Sequence, residues 1–416
     1  MSAQRGIHMN LSIRPILSAL LRNRTGAVLV AMQIAIALAV LVNALYIVMQ
    51  RIEKMRQPTG IDVDNILVVS SAGFTERYQA VPSIEEDLRY LRSLPGVTAA
   101  TATNSIPLSG GGSAQTLVTQ PNAHSNDSMN YFEVDEHGLD ALGLHLVAGR
   151  NFRHDEIQPP LTKAEASRFV PQIIITRALA QDLFPKQDPL GKQVYDSIGQ
   201  AATVIGVVDP MLGSWPGMIA HPDWVFLMPR APFTEGGNSL IYLVHTQPGQ
   251  REAMLRLIET HLSSSNPERV VHFVRPLRYF RDLVYLGDRT MGIYLFTVTL
   301  LLIAVTCLGV FALATFNVST RTKQIGTRRA VGAWRADIVR YFLIENGLIT
   351  STGILVGCAL ALGVGYWLSM QYELPRLNLY YLVGGVLLWW AIGQLAAWQP
   401  ARRASAVPPS VATRTV

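Results

Sequence analysis

Four long apolar runs stand out in the pattern of hydrophobic and polar positions along the chain. The runs are free of charged residues, and they begin at Gly26, Thr290, Asn346 and Leu377. Each continues for more than the roughly 20 residues that a helix needs to cross a bilayer, with Trp or Tyr near its ends, as in the aromatic belts of membrane proteins. With their flanks they predict transmembrane helices at residues 26–50, 290–318, 341–370 and 377–399. The first run is too long to be the apolar core of a cleaved signal peptide, so we interpret it as a retained anchor.

The segment between the first and second predicted helices, residues 51–289, alternates short β-rich runs with helical stretches. A strand, helix, strand order near its start recurs near its end, which predicts one split βαβ sheet domain over residues 61–104 and 239–285. The predicted elements are strands at Asn65–Ser71, Val97–Thr103, Leu240–Thr246 and Arg269–Val274 and helices at Ser83–Leu94 and Arg251–Leu262. Residues 105–238 are a predicted distal insertion, with strands at Gln172–Thr176 and Ala202–Val208. The predicted fold class is an α-helical bundle of four transmembrane helices, one plus three, with a large α+β extracytoplasmic domain inserted between spans one and two.

Arginine and lysine are concentrated in the three short segments outside the spans and the large domain. Residues 1–25, 319–340 and 400–416 are rich in arginine, and Asp337 is the single acidic residue among them. Because short basic loops stay on the cytoplasmic side, both termini are predicted to be cytoplasmic and residues 51–289 to lie outside. The net charge of +6 is therefore interpreted as a topology signal and not as a nucleic-acid footprint.

Residues 1–25 place leucine and isoleucine at helical spacing with arginines between them. This pattern predicts a cytoplasmic amphipathic helix on the membrane surface, where Arg22 and Arg24 meet anionic lipid headgroups. The alternative is that the first span starts early and tilts.

Composition and motifs argue against an enzyme. Charged residues make up 15% of the chain, against about 25% in soluble domains. Cys307 and Cys358, both within predicted spans, are too few for a disulfide framework or a four-cysteine zinc site. The Gly191-Lys192 pair lacks the rest of a P-loop, and HExxH and Gly-x-Ser-x-Gly motifs are absent. The groups 135–137 and 154–156 contain His, Asp and Glu but lack a complementary ligand set, so they are interpreted as surface charge. We expect no cofactor, no metal and no catalytic residues.

Small residues recur every four positions along the third predicted span. They are Gly353, Gly357, Ala361 and Gly365. This spacing lines one helix face and lets another helix pack closely. The pattern fits packing within the chain and dimerisation equally well.

The basic loop at residues 319–340 is predicted to be a compact helical hairpin. Gly326 and Gly332 permit close approach or a turn, and apolar contacts are offered by Ile325, Trp334, Ile338 and Phe342. A basic surface with apolar residues beside the membrane suits docking of a cytoplasmic partner. Ordinary positive-inside charge explains the arginines nearly as well.

The order and spacing of residues in this loop resemble a known family. The run Arg-Thr-x-x-Ile-Gly-x-Arg-x-Ala-x-Gly-Ala, from Arg321 to Ala333, resembles the loop after the second span of MacB/FtsX-type ABC transporter permeases, as does the Pro-Ala-Arg-Arg-Ala tail at 400–404. Further runs are similar to the MacB-type periplasmic core, at 130–134, 148–150, 178–185, 188–192 and 204–208. One departure is Gln324, which stands where the family usually has Glu and would weaken a charged contact.

The resemblance implies a transmembrane permease subunit in the bacterial inner membrane, served by a separate cytoplasmic ABC ATPase subunit and paired with a second permease chain in a homo- or heterodimer. ATP-driven closure of the ATPase would move the loop, and the bundle would transmit that movement to the periplasmic domain. The implied ATPase-docking residues are Arg321, Lys323, Gln324, Ile325, Gly326, Arg328, Arg329, Gly332, Trp334 and Arg335. Efflux of antibiotics, peptides or similar compounds would involve a periplasmic membrane-fusion adaptor and an outer-membrane duct. Two alternatives stay open: lipoprotein release of the Lol type, and regulation of a cell-wall hydrolase or sensor kinase.

Overall fold

The computed structural model describes residues 24–121, 123, 125–160, 168–232, 239–372, 377–406 and 408. The chain divides into two units. Met1–Glu53 together with Asp288–Val416 form the helical unit, and Lys54–Gly287 form the sheet unit. The surface helix predicted for residues 1–25 lies outside the described residues except for its last two positions.

Along the chain, one long helix precedes a region of short strands and helices, and three long helices follow it. The described α-helices are α1 Arg24–Arg56, α2 Ala80–Ser93, α3 Gly138–Leu142, α4 Arg177–Leu183, α5 Arg251–Ser265, α6 Leu277–Val284, α7 Leu286–Thr320, α8 Thr322–Ala330, α9 Arg335–Tyr372 and α10 Leu379–Ser405. The described strands are β1 Ile66–Gly73, β2 Val97–Thr103, β3 Ala114–Gln115, β4 Met129–Val134, β5 Leu146–Gly149, β6 Gln172–Thr176, β7 Gln193–Tyr195, β8 Ala201–Val208, β9 Val225–Pro229, β10 Ser239–Thr246 and β11 Arg269–Pro276.

Four of the helices, α1, α7, α9 and α10, are long and apolar enough to cross a membrane. With 35 residues, α7 is about 52 Å long at 1.5 Å per residue, which exceeds the roughly 30 Å hydrocarbon thickness of a bilayer. The helices therefore extend beyond the apolar runs that predicted them. An ion pair joins Arg51 near the end of α1 to Asp288 in the first turn of α7.

The small-residue face of α9 packs against α1 of the same chain. A Cβ atom added at Gly353 would lie 2.7 Å from the Ala31 carbonyl oxygen, and one at Gly357 would lie 3.0 Å from the Ala35 carbonyl oxygen. Further along, the Asn43 side-chain amide donates a hydrogen bond to the Ala361 carbonyl at 3.2 Å. The sequence left two uses of this face open, and the structure describes the intramolecular one.

The sheet unit contains a four-stranded antiparallel sheet with the order β11-β1-β10-β2. Each half of the predicted split domain contributes two strands and the helix between them, which gives the interleaved β-α-β-β-α-β arrangement of ferredoxin-like folds. Helices α2 and α5 cover one face of the sheet, where Leu67 and Val69 of β1 pack against Leu88 and Ile258. The strands and helices predicted for this sheet are present, with ends that differ by up to three residues.

The insertion forms a second, mixed sheet with the order β3-β4-β9-β6-β8-β5, and β7 pairs with β8. Its residues do not form a separate body, because one hydrophobic core joins the two sheets. Ile66 and Val68 of β1 lie in that core with Phe132 of β4 and Val208 of β8. Alternating side chains of β1 therefore face two different cores, which explains why the strand is buried on both sides.

Candidate functional site: the basic loop between α7 and α9

The loop that connects α7 to α9 is a short helix followed by a tight turn. Helix α8 ends in a Schellman motif, in which the Ala333 N–H donates to the Arg328 carbonyl and the Gly332 N–H donates to the Arg329 carbonyl, both at 3.1 Å. Gly332 has a φ of +103°, which favours glycine over residues with a Cβ atom. The Asp337 carboxylate then accepts a hydrogen bond from the Trp334 N–H at 3.2 Å at the start of α9. These bonds define the path of the backbone between the two helices.

A small hydrophobic core attaches α8 to α9 and α10. Ile325 of α8 packs with Ile338 and Phe342 of α9 and with Ala401 and Ala404 of α10, all of them buried. Helix α10 continues beyond the predicted span at 377–399, through Pro400 to Ser405, and so reaches α8. The small alanine side chains allow close approach of α10 to α8. The tail pattern Pro-Ala-Arg-Arg-Ala has a direct structural use here, because its alanines face inward and its arginines are exposed.

A buried ion pair connects the start of the loop to α9. The Arg321 Nη1 donates to Glu345 Oε2 at 2.9 Å and to the Tyr341 hydroxyl at 3.4 Å. Only 17% of the Arg321 side chain and 3% of the Glu345 side chain are exposed. The guanidinium of Arg328 lies 4.9 Å from the Tyr341 ring centroid, a cation–π distance. Tyr341 thus contacts two arginines of the loop.

The residues predicted to dock a partner fall into two groups. Lys323, Gln324, Arg328, Gly332, Trp334 and Arg335 are exposed, and we call these six residues the loop patch. Trp334 is 70% exposed, which is unusual for the largest aromatic side chain. Direct docking contacts require accessible atoms, whereas Ile325 and Gly326 are buried, Arg321 is largely buried in its ion pair and Arg329 is half-buried. These four residues present less surface to a partner than the loop patch does.

A shallow groove lies beside the loop patch, between α8 and α9. It is lined by Arg321, Gln324, Ile325, Arg328, Ala333, Asp337, Ile338, Tyr341 and Phe342. Sequence reasoning did not include Tyr341 or Glu345 in the site. The available signal was the lone carboxylate at the edge of an apolar run, since a charge at that depth needs a partner.

The runs at 130–134 and 148–150, which resemble the MacB-type periplasmic core, have structural roles in the sheet unit. The Asn130 side-chain oxygen accepts a hydrogen bond from the Ser214 N–H at 3.0 Å. Gly149 has a φ of +79°, and a Cβ atom there would lie 2.2 Å from the Ile205 carbonyl oxygen. Arg150 forms two hydrogen bonds to the Glu156 carboxylate, at 2.7 and 2.6 Å, and this interaction lowers the pKa of Glu156 to about 2. The motifs therefore maintain the fold at these positions.

Two clusters of ionisable groups lie elsewhere in the sheet unit. The groups 135–137 and 154–156 are neighbours, since His154 Nδ1 lies 2.9 Å from Glu136 Oε1, and this hydrogen bond raises the pKa of His154. In the part of the chain that the structure describes, no group of three or more His, Cys, Asp or Glu residues is arranged to hold a metal ion. Glu133 and Arg230 form a buried pair at 3.4 Å. Burial raises the pKa of Glu133 to about 7 despite the opposing effect of Arg230.

Two protein-family models match the chain. The model described as the MacB-like periplasmic core domain matches residues 25–260, and the model described as the FtsX-like permease C-terminal domain matches residues 296–409. The first match covers more than half of the chain, and the second contains the loop and the last three long helices almost entirely. These two domains define the class of ABC transporter permeases that carry a periplasmic domain. The chain belongs to the MacB-like family of these permeases, which confirms the resemblance found in the sequence.

The chain is also similar to individual relatives and to a solved structure. The macrolide export ATP-binding/permease protein MacB of Bartonella quintana is 28% identical over 297 residues, which are 67% of this chain and 41% of that protein. The ABC transporter permease YknZ of Bacillus subtilis is 26% identical over 246 residues, which are 58% of this chain and 61% of that protein. A crystal structure of the periplasmic region of MacB from Actinobacillus actinomycetemcomitans has 17% identity and a TM-score of 0.34, with 56% of this chain and 97% of that chain covered. The chain thus spans about two fifths of the length of the MacB relative.

Proposed function

We propose that this chain is the permease subunit of a MacB-type ABC transporter, on which a separate ABC ATPase subunit docks through the loop patch. In this proposal the four apolar helices cross the bacterial inner membrane, both termini are cytoplasmic and the sheet unit is periplasmic. The positive-inside distribution of arginine supports this orientation. Membership of an ABC permease family supports the need for an ATPase.

The packing of α8 carries the proposal. The loop patch combines exposed cations with an exposed Trp334, a residue type that is enriched at binding hot spots. Beneath it, Ile325 is buried against both α9 and α10. A force applied to the patch is therefore applied to two long helices at once. We propose that ATP-driven movement of the ATPase is transmitted in this way as a movement of the long helices, each as a rigid body, relative to one another, which moves the sheet unit outside.

The transported compound is proposed from the relatives. Curated relatives in several bacteria bear the name macrolide export protein MacB, and this supports efflux of antibiotics, peptides or similar compounds. Transport across the cell envelope would require a periplasmic membrane-fusion adaptor and an outer-membrane duct. The functional unit would contain two permease chains, in keeping with the symmetry of most oligomers.

The first test is purification of the tagged full-length chain from its native membrane in mild detergent, with mass spectrometry of the proteins that accompany it. An ABC ATPase together with a periplasmic adaptor is the expected result. An ATPase with a lipoprotein carrier, a cell-wall hydrolase or a sensor kinase would keep the permease assignment and overturn the efflux claim. Absence of any ATPase would overturn the proposed function.

The loop patch is tested by charge reversal. Arg328→Glu combined with Arg335→Glu should abolish recovery of the ATPase, because both arginines are exposed on the patch. Arg402→Glu combined with Arg403→Glu is the matched control, with the same change of charge on exposed residues of α10. Both variants should insert into the membrane at normal levels. Equal recovery of the ATPase from the two variants would show that the patch is not the docking surface.

A further inference from the structure

The apolar contacts of α8 do not by themselves fix its position along α9. Ile325 rests on Ile338 and Phe342, and contacts between aliphatic and aromatic side chains have no strong directional preference. Part of the α8 surface borders a shallow groove between α8 and α9 and does not pack against α9. The turn at residues 331–334 ties the C-terminal end of α8 to α9, and a further contact at the N-terminal end is needed to hold the whole helix in position under load.

The ion pair between Arg321 and Glu345 has the geometry for this role. Arg321 lies between α7 and α8, whereas Glu345 lies on α9 more than two turns after its start. A second hydrogen bond from Arg321 reaches the Tyr341 hydroxyl, one turn earlier on α9. Because Arg321 contacts two successive turns of α9, a shift of α8 along that helix would break at least one of these bonds.

A contribution to stability does not explain the pair. Removing both charges from water is expensive, and replacing a buried ion pair by apolar residues of similar volume is often neutral or stabilising. One oxygen of the buried Glu345 carboxylate lacks a hydrogen-bond partner within the described residues, which adds to this penalty. The benefit of such a pair is the geometry that it enforces.

We infer that Arg321 and Glu345 are a positioning pair that fixes the register of α8 on α9, so that movement imposed on the loop is passed to α9 and is not lost as sliding of α8. This inference rests on the proposed function, since it assumes that a partner moves the loop. It assigns no contact with the partner to either residue. The pair therefore differs in role from the loop patch, which binds.

The test separates docking from transmission in the assembled complex with its ATPase. Arg321→Met combined with Glu345→Leu removes both charges and keeps the volume of the side chains. Asp337→Asn is the matched control, because it removes a carboxylate from the same loop and leaves the pair intact. Recovery of the ATPase reports on docking, and it is measured for each variant so that the distances below are compared at equal occupancy by the ATPase.

Spin-label distances report on transmission within the helical unit. One label pair joins α8 to α9, at Thr327→Cys and Leu362→Cys, and a second joins α9 to α1, at Leu362→Cys and Met49→Cys, with the two native cysteines replaced. On addition of ATP, the distance between α8 and α9 should stay the same in the parent protein and in the Asp337→Asn variant. The distance between α9 and α1 should change in both. In the Met/Leu variant, the distance between α8 and α9 should change on addition of ATP, and the distance between α9 and α1 should stay the same.

Two results would overturn the inference. The first is a Met/Leu variant with the ATP-dependent distances of the parent protein. The second is a parent protein in which the distance between α8 and α9 itself changes on addition of ATP, because that change would mean that the pair does not hold the register. If the Met/Leu variant does not fold, Glu345→Gln provides the same comparison with a smaller change. Loss of the ATPase from the parent protein would instead overturn the proposed function.

Discussion

Replacing Gly353 by alanine tests the packing of α9 on α1 most directly. The added Cβ atom would lie 2.7 Å from the Ala31 carbonyl oxygen and about 3.0 Å from Ile34 side-chain atoms. Real Cβ atoms essentially never approach another atom closer than 3.0 Å, and the nearest atom belongs to the backbone, so α1 and α9 must separate. Overpacking of this kind costs about 1–3 kcal/mol.

Alanine substitutions at two other glycines of α9 provide comparisons for the stability change expected at Gly353. At Gly357 the nearest contact of an added Cβ would be 3.0 Å, and at Gly363 no atom lies within 4 Å. Alanine has a helix propensity that is better than that of glycine by about 1 kcal/mol. Gly363→Ala should therefore be neutral or stabilising, Gly357→Ala should be mildly destabilising and Gly353→Ala should be the least stable of the three. The expected separation between the extremes is about 2 kcal/mol.

The assay is unfolding of the full-length chain in mixed micelles by increasing amounts of SDS, followed by far-UV circular dichroism. The order of the three midpoints is the result of interest, because all three variants make the same chemical change in the same helix. A Gly353→Ala protein that unfolds together with or after Gly363→Ala would refute the described contact between α1 and α9. The small-residue face would then be free for another helix.

Other predictions concern the core under α8 and the buried pair of the sheet unit. Ile325→Ala should destabilise α8 by about 2–5 kcal/mol, seen as faster amide hydrogen exchange in α8, whereas Val331→Ala, at a position 79% exposed, should change it by less than about 0.5 kcal/mol. Ala404→Leu should separate α10 from α8 and reduce recovery of the ATPase, since Ala404 has no exposed surface; normal recovery would contradict the role of this contact. Because the folded-state pKa of Glu133 is raised to about 7, its contribution favours folding below pH 4.5 and is lost as the pH rises through 7. The parent protein should lose about 2–3 kcal/mol of local stability in β4 between pH 5 and pH 8, measured by hydrogen exchange corrected for intrinsic rates, and Glu133→Gln should remove that pH dependence.

Local patterns in the sequence predict the elements of this protein well. A long apolar run without charge has few uses outside a membrane, so α1, α7, α9 and α10 follow from composition alone. The strands β1, β2, β10 and β11 follow from β-branched runs between turn residues. The order of strands in the first sheet is harder to predict from the sequence. Strand β1 pairs with β10 and β11, which follow it only after the entire insertion. The pattern of each strand contains no information on which distant strand lies beside it.

The candidate site shows where such patterns stop being informative. Ile325 and Trp334 are both apolar residues in a basic loop, and the sequence pattern predicts the same docking role for both. One is buried and the other exposed because Ala401 and Ala404, far along the chain, cover Ile325 but not Trp334. Glu345 was missed as a member of the site for the same reason, since its partner Arg321 lies on the other side of α8 in the sequence. Long-range contacts decide which loop residues can meet a partner.

Because α10 packs beneath α8, the hydrophobic core around Ile325 can be completed only late in synthesis of the chain. Helix α8 is made and placed beside the membrane well before Ala401 and Ala404 leave the ribosome. Until then Ile325 lacks part of its cover, and the exposed residues above it have no fixed support. A nascent or truncated chain that ends before residue 401 can contain the whole basic loop and still lack the surface that a partner must recognise. Under the proposed docking, a partner could therefore recognise the loop only after the last described helix is complete.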